Sequence, residues 1–191
     1  MRGMSKKDAL ACQVSLGLFA GLLGIASTAH GAPIADGGGP ANNGVRAGNA
    51  AISQSGTTTS ITSTTTNNVI GWKDFSVKNG ESVVFDSGAN TNNYLNVVTG
   101  KVTSRIDGSI TGGNNVYIAN TNGVVFGEMA SVNVGNLYVT TRAVDVDTIG
   151  TAVAGGATLA SQESSIINTT AAAAPNTAKA EIVSLVDGTG H

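Results

Sequence analysis

The stretch Asn114–Thr141, NNVYIANTNGVVFGEMASVNVGNLYVTT, decides how the rest of the chain is read. It holds three short apolar runs, Val116–Ile118, Val124–Phe126 and Leu137–Val139, with Val132 and Val134 alternating between the last two. Asn and Gly punctuate these runs. Short β-branched and aromatic runs bounded by such residues predict strands joined by tight turns, and the spacing leaves no helical stripe.

The chain upstream leads into this segment. Arg2, Lys6 and Lys7 precede an apolar stretch from Ala9 to Ala26, followed by Ala29-His30-Gly31. That order predicts a secretory signal peptide over residues 1–31, cleaved after Gly31. It reads less well as a membrane anchor: Gln13 and Ser15 interrupt the apolar core, no basic flank follows it, and a span needs about 20 apolar residues. Cleavage leaves 160 of the 191 residues, the size of one domain, and removes Cys12, the chain's single cysteine. The mature chain is then free of disulfides in a compartment that permits them. Its basic residues fall from 10 to 7 and its acidic residues from 12 to 11, a balance of −4 that speaks against a nucleic-acid or anionic-membrane binder. Sparse charge with abundant Gly, Asn, Thr and Ser suits a stack of short strands better than a compact enzyme.

Residues 32–56, which include Gly37-Gly38-Gly39-Pro40, read as a flexible leader. Thr57–Thr59 and Thr64–Thr66 around Ile61 predict an N-terminal strand, because β-branched Thr favours extended backbone, with a disordered polar tract as the alternative. Apolar pulses follow at Val69–Trp72, Phe75–Val77, Val83–Phe85, Tyr94–Thr99, Thr103–Ile106 and Ile110. Asn79-Gly80 and Asp107-Gly108 mark turns between them. At an offset of 21 residues Leu95, Val116 and Leu137 align, as do Val97, Ile118 and Val139. Val83 lies two such steps from Val125, and Val125, Val146 and Ile167 lie one step apart. Self-similarity of this length marks a solenoid whose coils bury their inward residues on one another, although a β-sandwich also spaces its strands regularly. Ser104 and Asp74 interrupt the register. Beyond Thr141 the Val/Asp alternation of 143–148 predicts one more coil edge, and 151–191 reads as an incomplete or weakly ordered part.

From Ile61 to Thr141 the chain resembles the N-terminal secretion (TPS) domain of two-partner-secretion exoproteins, the filamentous-haemagglutinin-type adhesins and the related contact-dependent inhibition proteins. Ile70-Gly71-Trp72-Lys73-Asp74-Phe75 is similar to the family's I-x-W-x-x-F, and Asn79–Phe85 to its x-G-x-x-V-x-F strand. Leu95-Asn96-Val97-Val98 stands where the family has leucine-asparagine-arginine-valine, and Ser104-Arg105-Ile106-Asp107-Gly108 matches S-x-I-x-G. Asn120-Thr121-Asn122-Gly123 resembles the asparagine-proline-asparagine-glycine hallmark, with Thr121 in place of proline. Ala130–Leu137 is similar to the A-x-V-x-V-G-x-L that follows it. Each motif alone is weak, and their order over some eighty residues is specific.

The resemblance implies an all-β, right-handed parallel β-helix with an N-terminal cap, over residues 57–150. It implies export from a Gram-negative cell by way of the periplasm, and recognition by the periplasmic domains of an outer-membrane TpsB-type pore. It also implies delivery of an adhesin-type protein to the cell surface or medium, where host-cell receptors or glycans are further expected partners. The expected chain is monomeric, without cofactor and without a nucleic-acid partner. A stand-alone surface adhesin is the alternative function. Residues 142–191 lack the family's second asparagine-rich motif, which reads as a truncated gene, a fragment or a short relative.

The candidate secretion-motif residues are Asn96, Asn120, Asn122 and Gly123. Their asparagines either contact the pore or, in the reading preferred here, ladder along coils and cap turns, so that their loss impairs export through misfolding. Trp72 and Phe75 read as core rather than as partner-binding aromatics. Lys73, Lys101, Arg105 and Arg142 are the basic groups open to an acidic partner. Catalysis has little to draw on: once Cys12 and His30 are cleaved away, the remaining histidine is His191. Asp145 and Asp147 would share one side of a strand, a pair that carbohydrate chemistry or Ca²⁺ binding uses, although a solvated pair on a coil edge is the plainer reading. A carbohydrate-active enzyme is therefore the remote alternative.

Overall fold

A computed structural model of the protein describes residues 32–167 and the strand Val183–Ser184; the expected signal peptide lies outside the described residues. Two short strands, β1 (Ile34–Ala35) and β2 (Val45–Ala47), precede a hairpin of β3 (Ala51–Ser55) and β4 (Thr58–Thr62). The chain then winds as a β-solenoid of about four turns. After β4, the first coil continues with β5 (Asn67–Asp74). The second contains β6 (Ser82–Phe85), β7 (Asn93–Val98) and β8 (Ser104–Ile106). The third contains β9 (Ser109–Thr111), β10 (Asn115–Ala119) and β11 (Val124–Phe126), and the fourth begins with β12 (Ser131–Asn133) and β13 (Asn136–Thr140). Helix α1 (Val146–Ala154) and the short α2 (Glu163–Ile166) come next, and β14 (Val183–Ser184) pairs with β11.

Three sheets form the faces. In sheet 1, β4, β6, β9 and β12 stack in parallel, with β3 antiparallel at one edge. In sheet 2, β5, β7, β10 and β13 stack in parallel, and β1 and β2 pair antiparallel with β5. Sheet 3 joins β8, β11 and β14, with Val77 bridging to Ile106. The strand expected in the Thr-rich run is β4. Residues 32–56, expected as a flexible leader, instead form the cap. Their Gly-rich turns bend short strands back onto β5, burying Val45, Ala47 and Ala50.

The inward residues of the coils make one core, including Ile61, Ile70, Trp72, Phe75, Phe85, Tyr94, Ile106, Ile110, Val116 and Ile118. A second apolar layer lies on the outer face of sheet 2. There Val69, Leu95, Val97, Tyr117 and Ala119 are covered by Val146, Ile149, Val153, Leu159 and Ile166. Sheet 2 is thus apolar on both faces, so its strands read as continuous apolar runs rather than alternating ones.

The true register corrects the fixed offset. Asn115 and Asn136 are 21 residues apart, but Asn93 and Asn115 are 22 apart and Asn67 and Asn93 are 26 apart. Val116 pairs with Leu137 as expected, but its partner on the other side is Tyr94; Leu95 pairs with Tyr117, and Val97 with Ala119. A one-residue slip turns Leu95 and Val97 to the opposite face. Val83 belongs to sheet 1 and Val125 to sheet 3. Val146 starts α1, so the second half of the coil edge expected at 143–148 is helical and Asp145 before it is the N-cap. The expected boundary after residue 150 falls within that helix.

Candidate partner-recognition corner

β5, β7, β10 and β13 leave sheet 2 at one corner, where the segments after them stack. The Thr99 N–H donates to the Trp72 carbonyl at 2.8 Å, and a Cβ on Gly100 would collide with the Lys73 carbonyl, so only glycine fits there. The Gly100 carbonyl accepts from Asn122 Nδ2 at 3.0 Å, and the Asn120 N–H donates to the Thr140 carbonyl at 3.0 Å. Lys73, Gly100, Asn120–Gly123 and Thr140–Arg142 therefore form one column running through all the coils.

The Asn120-Thr121-Asn122-Gly123 turn closes with a hydrogen bond from the Gly123 N–H to the Asn120 carbonyl at 3.0 Å. Neither Thr121 nor Asn122 has a positive φ, which leaves a type I turn; Gly123 follows at φ +97°. Asn120 is buried. Its Oδ1 accepts from the Asn122 N–H at 2.9 Å, and its Nδ2 donates to the Val102 carbonyl and Ser104 Oγ, each at 2.9 Å. Thr103 Oγ1 donates to the Asn122 carbonyl at 2.7 Å, and the Ser104 N–H to the Gly123 carbonyl at 3.0 Å. Asn120, Asn122 and Gly123 thus come together as a coil-to-coil fastener.

Asn96 lies apart from them. It is fully buried within β7, where its Oδ1 accepts from Trp72 Nε1 at 3.0 Å and its Nδ2 donates to the Tyr117 carbonyl at 3.1 Å. Trp72 and Phe75 are core residues, in edge-to-face contact with centroids 5.3 Å apart. Of the candidate residues only Asn122 is well exposed, beside exposed Thr121.

Among the basic groups, Lys73 and Lys101 are exposed on the corner, with Val102 44% exposed next to Lys101. Arg142 occupies the same corner on the fourth coil and donates from Nη1 to the Ser164 carbonyl at 3.1 Å. Arg105 belongs to sheet 3 and pairs with Asp107 at 2.5 Å.

The proposed carboxylate pair is not side by side on a strand. Asp145 is the N-cap of α1, accepting from the Asp147 N–H at 3.1 Å, the Thr148 N–H at 3.0 Å and Thr148 Oγ1 at 2.8 Å. The Thr148 N–H, then its hydroxyl and the Asp147 N–H, hold the Asp145 carboxyl below the usual range. Asp147 pairs with Arg46 Nε at 2.7 Å, while the Arg46 Nη1 and Nη2 atoms bind Asp36, each at 2.8 Å. Burial alone would raise the Asp36 carboxyl, but the Arg46 guanidinium, the Gly38 N–H and the Thr99 hydroxyl outweigh it and lower it. One acid caps α1 and the other ties α1 to the cap. No group of three or more His, Cys, Asp or Glu side chains among the described residues is placed to hold a metal ion.

Sequence reasoning missed two features. The Arg46–Asp147 contact spans 101 residues and has no local signature. The second is an asparagine ladder at the start of the sheet 2 strands. Asn93 donates to Asn67 Oδ1 at 3.1 Å, Asn115 to Asn93 Oδ1 at 2.8 Å, and Asn136 to Asn115 Oδ1 at 3.0 Å. Recurrence of Asn just before Tyr94, Val116 and Leu137 was the available signal.

The model of the TPS secretion domain family matches residues 34–185. A heme/hemopexin-binding protein of Haemophilus influenzae strain Rd is 33% identical over 103 residues, covering 54% of this chain and 11% of that protein. A second heme/hemopexin-binding protein of Haemophilus influenzae is 36% identical over 73 residues, covering 38% of this chain and 8% of that protein. The match spans about a tenth of the length of these curated relatives.

Proposed function

This chain belongs to the TPS secretion domain family, and on that premise we propose that it is the segment of an exported exoprotein that an outer-membrane TpsB-type pore recognises. The observation that carries the reading is the family match over 34–185 on a capped solenoid. Residues 1–31 serve as the signal peptide to the periplasm. Residues 32–56 and the coils after them are engaged there by the periplasmic domains of the pore. The chain then crosses to the cell surface or medium, delivering an adhesin-type β-helical protein. Its role is recognition and transport rather than catalysis, in keeping with Asp145 and Asp147 serving as helix cap and ion-pair partner.

The Haemophilus relatives are heme/hemopexin-binding proteins, and the matched tenth of their length is the part related to this chain. Assigning that part to secretion accounts for the similarity without placing a heme ligand on this chain. The test is secretion of the full chain from cells with and without the TpsB-type pore. Appearance in the medium only with the pore is expected, and full secretion without any such pore overturns the reading.

A further inference from the structure

In residues 32–191 basic groups are outnumbered 7 to 11, yet two of them, Lys73 and Lys101, stand exposed on adjacent coils of a single corner. Neither side chain makes an ion pair or hydrogen bond among the described residues. The nearby carboxylates are engaged: Asp74 accepts from Ser76 Oγ at 2.7 Å, and Asp36 is held by Arg46 and Thr99. The Thr99 N–H bonds the Trp72 carbonyl and Gly100 lies against the Lys73 carbonyl, which brings the two lysines to the same corner on neighbouring coils. Between the two lysines and the type I turn lies Val102, one of three exposed large hydrophobic residues in the described chain. The asparagine side chains of this corner are spent on coil-to-coil bonds. What it offers outward is therefore lysine charge, an apolar centre and the exposed Thr121 and Asn122, with Arg142 on the fourth coil.

The other two corners differ. The one after sheet 3 mixes Lys78 and Glu81 with the paired Arg105 and Asp107, and the one after sheet 1 is mainly uncharged polar. We propose that the Lys73–Lys101–Val102 corner, continuous with the Asn120–Gly123 turn, is the docking surface for an acidic protein surface on the periplasmic domains of the pore. The inference rests on the secretion reading above and names the face and the charge through which it operates. Charges at an interface rim act chiefly on encounter, so the signature is a salt-sensitive association rate.

The experiment compares the full exported chain with two doubly substituted forms of equal net charge, on immobilised recombinant periplasmic domains of the TpsB-type pore. Lys73→Gln/Lys101→Gln removes the two lysine charges of the first and second coils and leaves Arg142 on the fourth. Asn79→Asp/Asn90→Asp makes the same change in net charge at exposed positions on the other corners. At low salt the lysine variant is expected to associate about ten-fold more slowly than wild type and the asparagine variant within about two-fold, with added salt bringing wild type down to the lysine variant. Unfolding midpoints confirm that both variants are folded. Equal slowing of the two variants, or a lysine variant that associates like wild type, overturns the docking face and leaves the secretion reading standing. Loss of binding to phosphatidylglycerol vesicles with an unchanged rate on the pore domains overturns it in favour of an anionic membrane. Failure of the wild-type chain to associate with the pore domains removes both readings together.

Discussion

The indole N–H of Trp72 donates to the side-chain carbonyl of Asn96 at 3.0 Å inside the solenoid, linking the first coil to the second, while the amide of the same asparagine reaches the third through the Tyr117 carbonyl. A motif asparagine that resembles a partner contact in sequence is here a buried bridge. Asn96→Leu keeps the side-chain size but strands the indole N–H and the Tyr117 carbonyl. Leaving buried polar groups unpaired costs about 1–3 kcal/mol. The urea midpoint is expected to fall accordingly, and export with it, while variant protein that remains folded binds the pore domains as wild type does. Reduced binding by folded Asn96→Leu would place Asn96 in recognition after all.

Thr121 occupies the second position of a type I turn, where proline is favoured, and its side chain is exposed. Thr121→Pro therefore restricts the unfolded chain with little cost to the folded one, and a gain of about 0.4–1 kcal/mol is expected. Gly123, at φ +97°, has no such freedom. Gly123→Ala is expected to cost about 1–2 kcal/mol, because a side chain opposes that backbone conformation. Paired urea titrations check both signs, and a destabilising Thr121→Pro would mean that the turn has another geometry.

The faces of the solenoid were legible in the sequence because short β-branched runs between Asn/Gly corners leave no other regular structure open to them. The register was less legible. Coil length varies with the corner loops, seven residues between β6 and β7 against three between β9 and β10, and a fixed offset averages over that variation. Parity normally exposes a one-residue slip, but sheet 2 is apolar on both faces, so placing Leu95 beside Val116 cost nothing in pattern. The reason for that second apolar face, the cover by α1 and α2, comes from a segment whose Val/Asp alternation imitates a strand. Asp145 followed by Thr148 was the local sign of a helix start. At the candidate corner, sequence order brought Asn120, Asn122 and Gly123 together. It could not show that Lys73 and Lys101 join them while Arg105 does not.

The Asp36–Arg46 pair makes folding sensitive to acid. The Asp36 carboxyl is lowered in the folded chain, Arg46 and its other hydrogen-bond donors outweighing burial, so the unfolded chain takes up its proton first as pH falls. The contribution is fully present above the unfolded value of about 3.9 and is lost as pH falls through the lower folded value. Asp36→Asn removes this dependence. Between pH 7 and pH 3 the urea midpoint of wild type is expected to fall further than that of Asp36→Asn. Equal falls would show that Asp36 is not a source of the acid sensitivity.

Leu159 is fully buried on the outer face of sheet 2, where α1, α2 and the turn between them cover Val69, Leu95, Tyr117 and Ala119. Its N–H donates to Asn67 Oδ1 at 3.2 Å, joining this cover to the start of the asparagine ladder. Tyr117 is pushed up to about 12 by burial, then by Glu163 and by Tyr138, with which it stacks at 4.6 Å. Truncating a buried leucine costs about 2–5 kcal/mol, and here the loss falls on the contact between the cover and the coils. Leu159→Ala is therefore expected to loosen the helices before the solenoid. Amides of α1 should then exchange hydrogen faster while those of β7 and β10 stay protected, dye binding to apolar surface should rise, and the Tyr117 hydroxyl should titrate closer to the ordinary tyrosine value of about 10. Uniform loss of protection across α1, β7 and β10 would instead make the helical cover part of one cooperative unit with the coils.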